Sequence, residues 1–257
     1  MERPSMRCDW GPLHQALAET RRGTTPLRIW WRDDDATRVT SAFDRLEKLS
    51  RSLDMPVHIA AIPHLAEPGL AHAVRSVPHL IPVVHGWSHR NHAEADAKKS
   101  EFGQPRPEAE EEVRMALAHM RQLFGPAVVP LFVPPWNRID PSVTGTLTAA
   151  GYRGLSTFAP RPSAEAAPGL LQINTHIDPI DWRGTRNLVD PAIVIERTTE
   201  ILRNRSEGIF DAGEPLGYLT HHLVHTPELW DFSGQFLNEL LQGGAVIQPI
   251  SLLVEAA

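Results

Sequence analysis

Short apolar runs recur along the chain and alternate with stretches of helical periodicity. The runs that read as strands are LRIWW (27–31), VHIAAIP (57–63), LIPVVHG (80–86), VVPLFVP (128–134), GLSTFA (154–159), LLQINTHI (170–177), LGYLTHHLV (216–224) and AVIQPI (245–250). Most are bounded by Gly, Pro or Asp, the residues that end strands in turns. Amphipathic patterns lie between them. Residues 13–22 place Leu13 and Leu17 on one face; 41–53 follow Thr40, an N-cap, and align Phe43, Leu46, Leu49 and Leu53. Residues 107–124 open on Pro107 and a run of acids, as the helix dipole favours, and carry Val113, Leu117, Met120 and Phe124 as a stripe. Further helices are predicted over 141–151, 190–205 and 227–241, and the polar residues 92–106 read as a long loop. Strands alternating with helices predict a parallel sheet, and seven or eight such units predict an α/β barrel rather than an open sheet. One domain is expected over 1–257, with 1–26 an N-terminal helical extension.

Composition narrows the functional classes. The chain has 257 residues, of which 42% are hydrophobic, enough for a sizeable core. Its net charge of −6 argues against a nucleic-acid partner. Cys8 is the single cysteine, which excludes an internal disulfide and a thiolate metal cluster. No apolar stretch follows the N-terminal charges, so no signal peptide is visible, and no run is long enough to cross a bilayer. The expectation is a cytoplasmic protein without a membrane partner.

Polar residues gather where the predicted strands end. Asp33, Asp34 and Asp35 follow the first, His64 the second, His85 and His89 the third, and Trp136 and Asn137 the fourth. His176, Asp178, Asp181 and Trp182 follow the sixth, and His221, His222 and His225 lie in or after the seventh. In α/β barrels that end carries the active site. In HGWSH (85–89) a helical turn after the strand would aim His85 and His89 at one point, and two imidazoles with a carboxylate form a recurring catalytic metal site. Only one of His221 and His222 can face the barrel interior, because adjacent strand residues point to opposite faces; His221 is the preferred one. Asp178 and Asp181 in IDPIDW are candidates to orient a histidine, and one of them also suits a turn. Trp31, Trp87, Trp136 and Trp182 stand beside these groups and offer flat faces to a sugar or another amphipathic ligand. No glycine-rich phosphate loop, nucleophile elbow or HExxH motif is present.

These residues resemble the five short motifs, in order, of the polysaccharide deacetylases, carbohydrate esterase family four, over residues 27 to 225. RDDDA is similar to the first motif, HGWSH to the second, FVPPWN to the third, DPIDW to the fourth and YLTHH to the fifth. The resemblance implies a distorted (β/α) barrel and a metal-dependent hydrolase that removes N- or O-acetyl groups from a carbohydrate. It implies Asp33 as catalytic base, Asp34, His85 and His89 as ligands of one divalent metal, the Trp136 backbone N–H as oxyanion donor, and His221 as catalytic acid supported by Asp178 or Asp181. The metal implied by His₂Asp is Zn²⁺, with Co²⁺, Ni²⁺ and Mn²⁺ compatible. Trp31, Trp87, Trp182, Asn137 and Arg138 are the expected substrate contacts, and an oligosaccharide or small molecule the expected partner. There are departures from the pattern. Asp35 stands where Gly is usual, so a second register makes Asp34 the base and Asp35 the ligand. Gly86 replaces a Ser or Thr. Val133 replaces an Arg that pairs with the base, and Arg138 and Arg32 are the candidates to substitute for it. A neighbouring reading is an amidohydrolase acting on a non-sugar amide; another is a carbohydrate-binding relative whose catalysis has lapsed.

Overall fold

The computed structural model describes residues 8–254; the first seven residues of the 1–26 extension lie outside the described residues. After α1 (Gly11–Thr20), the elements are β1 (Arg28–Ala36), α2 (Ser41–Ser52), β2 (Val57–Ala61), α3 (Pro68–Arg75), β3 (Leu80–His85), α4 (Ala109–Phe124), β4 (Leu131–Val133) and α5 (Pro141–Thr146). They continue with β5 (Gly154–Leu155), β6 (Glu165–Ala167), β7 (Leu170–Gln172), α6 (Pro191–Ser206), β8 (Leu216–Thr220), α7 (Pro227–Gln242), β9 (Val246–Ile247) and α8 (Ser251–Val254). The helices start where the side chains dictate. Thr40 accepts the Phe43 N–H at α2 and Asp190 the Ala192 N–H at α6, each occupying a donor the helix cannot satisfy itself. Among the described residues no helix is long and apolar enough to cross a membrane.

The strands pair in the order β6-β7-β5-β4-β3-β2-β1-β8, with β9 added beside β1. All pairs are parallel except the β6–β7 hairpin. The ladder does not close on itself. The segment after β7 spans the gap instead, its Ile173 and Thr175 N–H groups donating to Leu155 and Thr157, while His176 donates to Gly217 O (2.8 Å) and Leu219 to Ile177 O (2.8 Å). Gly217 is required there, since a Cβ would lie 2.5 Å from Asn174 O. His176, expected near the chemistry, is a pin of this seam. Its Nδ1 accepts the Gly217 N–H, and its Nε2–H donates to the buried Glu214.

Two apolar clusters follow from strand alternation. Trp30, Ala60, Val83, Leu131, Val133 and Ile173 fill the inside of the strand ring, floored by Ile250 and Val254 of the C-terminal turn. Ile29, Trp31, Val57, Ile59 and Val84 face outward into the layer shared with the helices, where Leu13 and Leu17 tie α1 into the same core. Inside the ring, His58 donates from Nδ1 to Trp31 O and accepts the Ile250 N–H at Nε2. It is therefore held neutral, and burial pulls its pKa from 6.5 to about 4. The unfolded chain takes up the proton near pH 6.5 and the folded chain only near 4. Stability from this group is intact above pH 6.5 and falls by roughly 3 kcal/mol as pH drops through that window. Urea unfolding between pH 7 and 4 is expected to show a shallower pH slope in His58→Gln than in the parent.

Candidate active site

The first motif lies inside β1 rather than after it. Arg32 and Asp34 share the parity of Trp30 and point into the ring. Both are buried, with Arg32 Nε 2.9 Å from Asp34 Oδ1 and Nη2 3.0 Å from Oδ2. The Nη2–Oδ2 contact is a hydrogen bond and the Nε–Oδ1 contact a close ion pair, and together they hold the carboxylate in place. The guanidinium is itself held by Ser156 Oγ (2.7 Å) and Asn137 Oδ1 (2.7 Å).

Asp33 has the opposite parity and is fully buried outside the ring. It accepts from the Thr220 hydroxyl (2.6 Å), the His222 N–H (3.0 Å) and His222 Nδ1–H (2.5 Å). Thr220 in turn accepts Trp31 Nε1–H. Burial alone would push the Asp33 carboxyl up, but His222 and Thr220 more than offset it and hold it below the usual carboxylate range. His222 is correspondingly raised, its burial outweighed by Asp33.

Asp35 should follow Asp33 outward by alternation, but it does not. β1 advances from Asp33 to Ala36 while its partner β2 advances only from Ile59 to Ala61. The extra residue is a bulge, and Asp35 sits in it with φ of 74°. A bulge re-aims a side chain, and here it brings Asp35 Oδ1 to 3.1 Å from both His85 Nε2 and His89 Nε2. Burial raises the Asp35 pKa, but the two histidines pull it far below the normal range. His85 is lowered by burial and raised more strongly by Asp34 and Asp35.

The histidine pair is not built on a helical turn. His85 ends β3, and its Nδ1–H donates to Val133 O (3.0 Å), which leaves Nε2 facing Asp35. The chain then reverses through two left-handed residues, Gly86 and His89, each with φ of 57°. A Cβ on Gly86 would lie 2.2 Å from Glu101 Oε2 and 2.5 Å from Pro135 Cδ. This explains the departure from Ser or Thr. Glu101 is buried and accepts the Trp87 N–H (3.1 Å), the Ser88 N–H (2.7 Å) and the Ser88 hydroxyl (2.8 Å), pinning the turn between the histidines. Gly86→Ala is expected to cost about 1–3 kcal/mol and to weaken metal binding, read by calorimetry and by metal titration.

His221 faces the ring from the end of β8, its Nε2 4.0 Å from Asp34 Oδ2 and its ring edge-on to Trp182 at 4.7 Å. Asp178 accepts Trp182 Nε1–H (2.7 Å) and the Ile180 N–H (2.9 Å). Burial raises its pKa, and the neighbouring His221 offsets only part of that. On the β4 side, Pro134 and Pro135 lead into Trp136 and Asn137, both left-handed, with the Trp136 ring 4.2 Å from that of His89.

No protein-family model matches the chain, and no curated protein matches it. Solved structures do. A protein from Mycobacterium smegmatis assigned to the polysaccharide deacetylases is 17% identical, with 84% of this chain and 76% of that one covered and a TM-score of 0.58. The T48 deacetylase, solved with substrate, is 14% identical over 91% of this chain and 93% of its own, at a TM-score of 0.55. The chain has the fold of the carbohydrate esterase family four deacetylases. That fold alone does not decide activity, since a family four pseudoenzyme from Bacillus anthracis is also similar, at 13% identity over 90% of this chain and 66% of its own and a TM-score of 0.56.

Against the family four pattern, the side chains fall in the second register. Asp35, not Asp34, meets His85 and His89, and they form the one group among the described residues with metal-ligand spacing, all three donor atoms lying within 4.8 Å of one another. Asp34 pairs with Arg32 instead, and Asp33 belongs to the wall between β1 and β8. Of the two arginines considered in place of the usual third-motif Arg, Arg32 pairs with Asp34, whereas Arg138 donates to Lys99 O. Asp178 lies by His221; Asp181 instead accepts the Gly184 and Thr185 N–H groups and shapes a turn. His221 faces Asp34, and His222 is committed to Asp33. Trp31 is fully buried and cannot touch a substrate. Trp87 is half-buried against His64 and His119, while Trp182 is 40% exposed at the mouth. Sequence reasoning missed Glu101, isolated in a polar loop, and Ser156, whose GLSTF context was tested only as a nucleophile elbow.

Proposed function

We propose that the protein is a metal-dependent hydrolase that removes acetyl groups from a carbohydrate by cleaving an acetamide C–N bond. The observation that carries this reading is the convergence of Asp35, His85 and His89 beside an arginine-held Asp34 and an inward-facing His221. The donor set fits a divalent ion. His85 spends Nδ1–H on a backbone carbonyl, the arrangement that orients a ligating imidazole, and two nitrogens share one carboxylate oxygen. Zn²⁺ suits these ligands, with Co²⁺, Ni²⁺ and Mn²⁺ compatible; a similar acetyl xylan esterase from Clostridium thermocellum was solved with cobalt. Such an ion supplies Lewis acidity that polarises the acyl carbonyl and favours deprotonation of water.

The protein's own groups divide the remaining work. Asp34 takes a proton from the attacking water as the water oxygen bonds to the acyl carbon. Arg32 holds Asp34 in place through its guanidinium. The Trp136 N–H donates to the developing oxyanion, a contribution of about 2.7–4 kcal/mol per donor in such sites. His221 delivers a proton to nitrogen as the C–N bond breaks, leaving acetate and the free amine, with Asp178 buried beside it. The departures that favoured lapsed catalysis are offset here, since Arg32 stands in for Val133 and Asp35 occupies the bulge. His85→Ala and His89→Ala are expected to lose the ion and to lower chitooligosaccharide deacetylation by at least about 10²-fold. Undiminished turnover in both variants would end this account, and turnover of simple amides in preference to acetylated sugars would move it to the amidohydrolase reading.

A further inference from the structure

A cleft of about 740 Å³ opens beside these residues and is not accounted for by the acetamide chemistry. It is walled by Lys98 and Gln104 of the 92–106 loop, Asn137 and Arg138 after β4, and Ala167 and Gln172 of the β6–β7 hairpin. It meets the site at Asn137. Asn137 lines the cleft and also accepts from Arg32 Nη2, the same nitrogen that holds Asp34. A molecule whose acyl group lies at Asp34 would reach this space by passing Asn137.

The charge of the cleft is one-sided. Lys98 and Arg138 are its charged lining residues, and no carboxylate lines it. Neither cation forms an ion pair among the described residues. Arg138 is anchored through Nη1 to Lys99 O (2.6 Å), which sets its guanidinium in the wall, and Lys98 is exposed. In a chain of net charge −6, two uncompensated cations around a cleft that adjoins the site at Asn137 mark a site for negative charge.

We infer that the cleft binds an anionic group, a carboxylate or a phosphate, carried by the same acylated molecule that the site hydrolyses. This rests on the hydrolase reading for the word substrate, but binding tests it without turnover. Fluorescence titrations of the protein with N-acetylglucosamine, N-acetylglucosamine 6-phosphate and N-acetylmuramic acid separate neutral, phosphate and carboxylate ligands. At least one anionic probe is expected to bind about tenfold or more tighter than the neutral sugar, with a preference that weakens as salt is raised. Lys98→Ala/Arg138→Ala is expected to abolish the preference and Lys98→Arg to keep it. Lys98→Glu, at an exposed position that folding tolerates, is expected to reverse it. Equal affinities, no binding by any probe, or a preference that survives Lys98→Glu would overturn the inference. Anionic preference without hydrolysis of any probe would leave it standing and count against the deacetylase reading alone.

Discussion

Arg32→Met is expected to destabilise the protein by about 3–5 kcal/mol, the cost of leaving one partner of a buried ion pair uncompensated. Arg32 is fully buried, and it joins Asp34, Ser156 and Asn137 through one guanidinium. Removing it strands the Asp34 carboxylate in the barrel interior without its hydrogen-bond partner. The carboxylate also loses the partner that aims it at the attacking water. Arg32→Met/Asp34→Leu removes both charges, and apolar replacements of a buried pair are often neutral. The double variant is therefore expected to recover most of the stability and none of the activity. Denaturant midpoints and deacetylation rates of the two variants check this. A single variant as stable and active as the parent would show that Asp34 has no need of its arginine.

Asp33→Asn is the second large effect. Asp33 receives Thr220 and His222, the residues on either side of His221, and it is the immediate neighbour of Asp34. It thus sets the spacing between the group that takes a proton and the group that gives one. Asparagine keeps one acceptor but loses the charge opposite His222. Misplacement by an ångström can cost about 10²-fold in rate, so kcat is expected to fall by about 10–10² while KM and metal content hold. A purely structural role would lower stability alone. The positioning role lowers kcat in protein that is still folded and metal-loaded, because His221 would sit at a different distance from Asp34.

The alternating α/β architecture was legible in the sequence because it follows from periodicity, whereas the two histidines of the second motif meet through a left-handed reversal and not through the helical turn that their spacing suggested. The limits of β1 were not legible. A run of three carboxylates reads as a solvated turn, yet β1 continues through all of them, since each has its own partner: His222 for Asp33, Arg32 for Asp34, and the His85–His89 pair for Asp35. Those partners are remote in sequence. The roles of Asp34 and Asp35 were equally hidden, because alternation would send Asp35 outward and only the bulge, with its φ of 74°, turns it back. Glu101 and Phe102 are buried in a stretch of polar composition that offers no period to read. The helix α3 was missed because it is short, and the strand β6 because it pairs only at the sheet edge.

The central claim is that Asp35, rather than Asp34, completes the metal site. Metal stoichiometry in folded Asp33→Asn, Asp34→Asn and Asp35→Asn, each loaded with Co²⁺ and read by elemental content and by the visible cobalt spectrum, tests it most directly. Asp33→Asn and Asp34→Asn are expected to retain a full equivalent with the parent's spectrum, and Asp35→Asn to lose both. Loss of the ion in Asp34→Asn with retention in Asp35→Asn would contradict it.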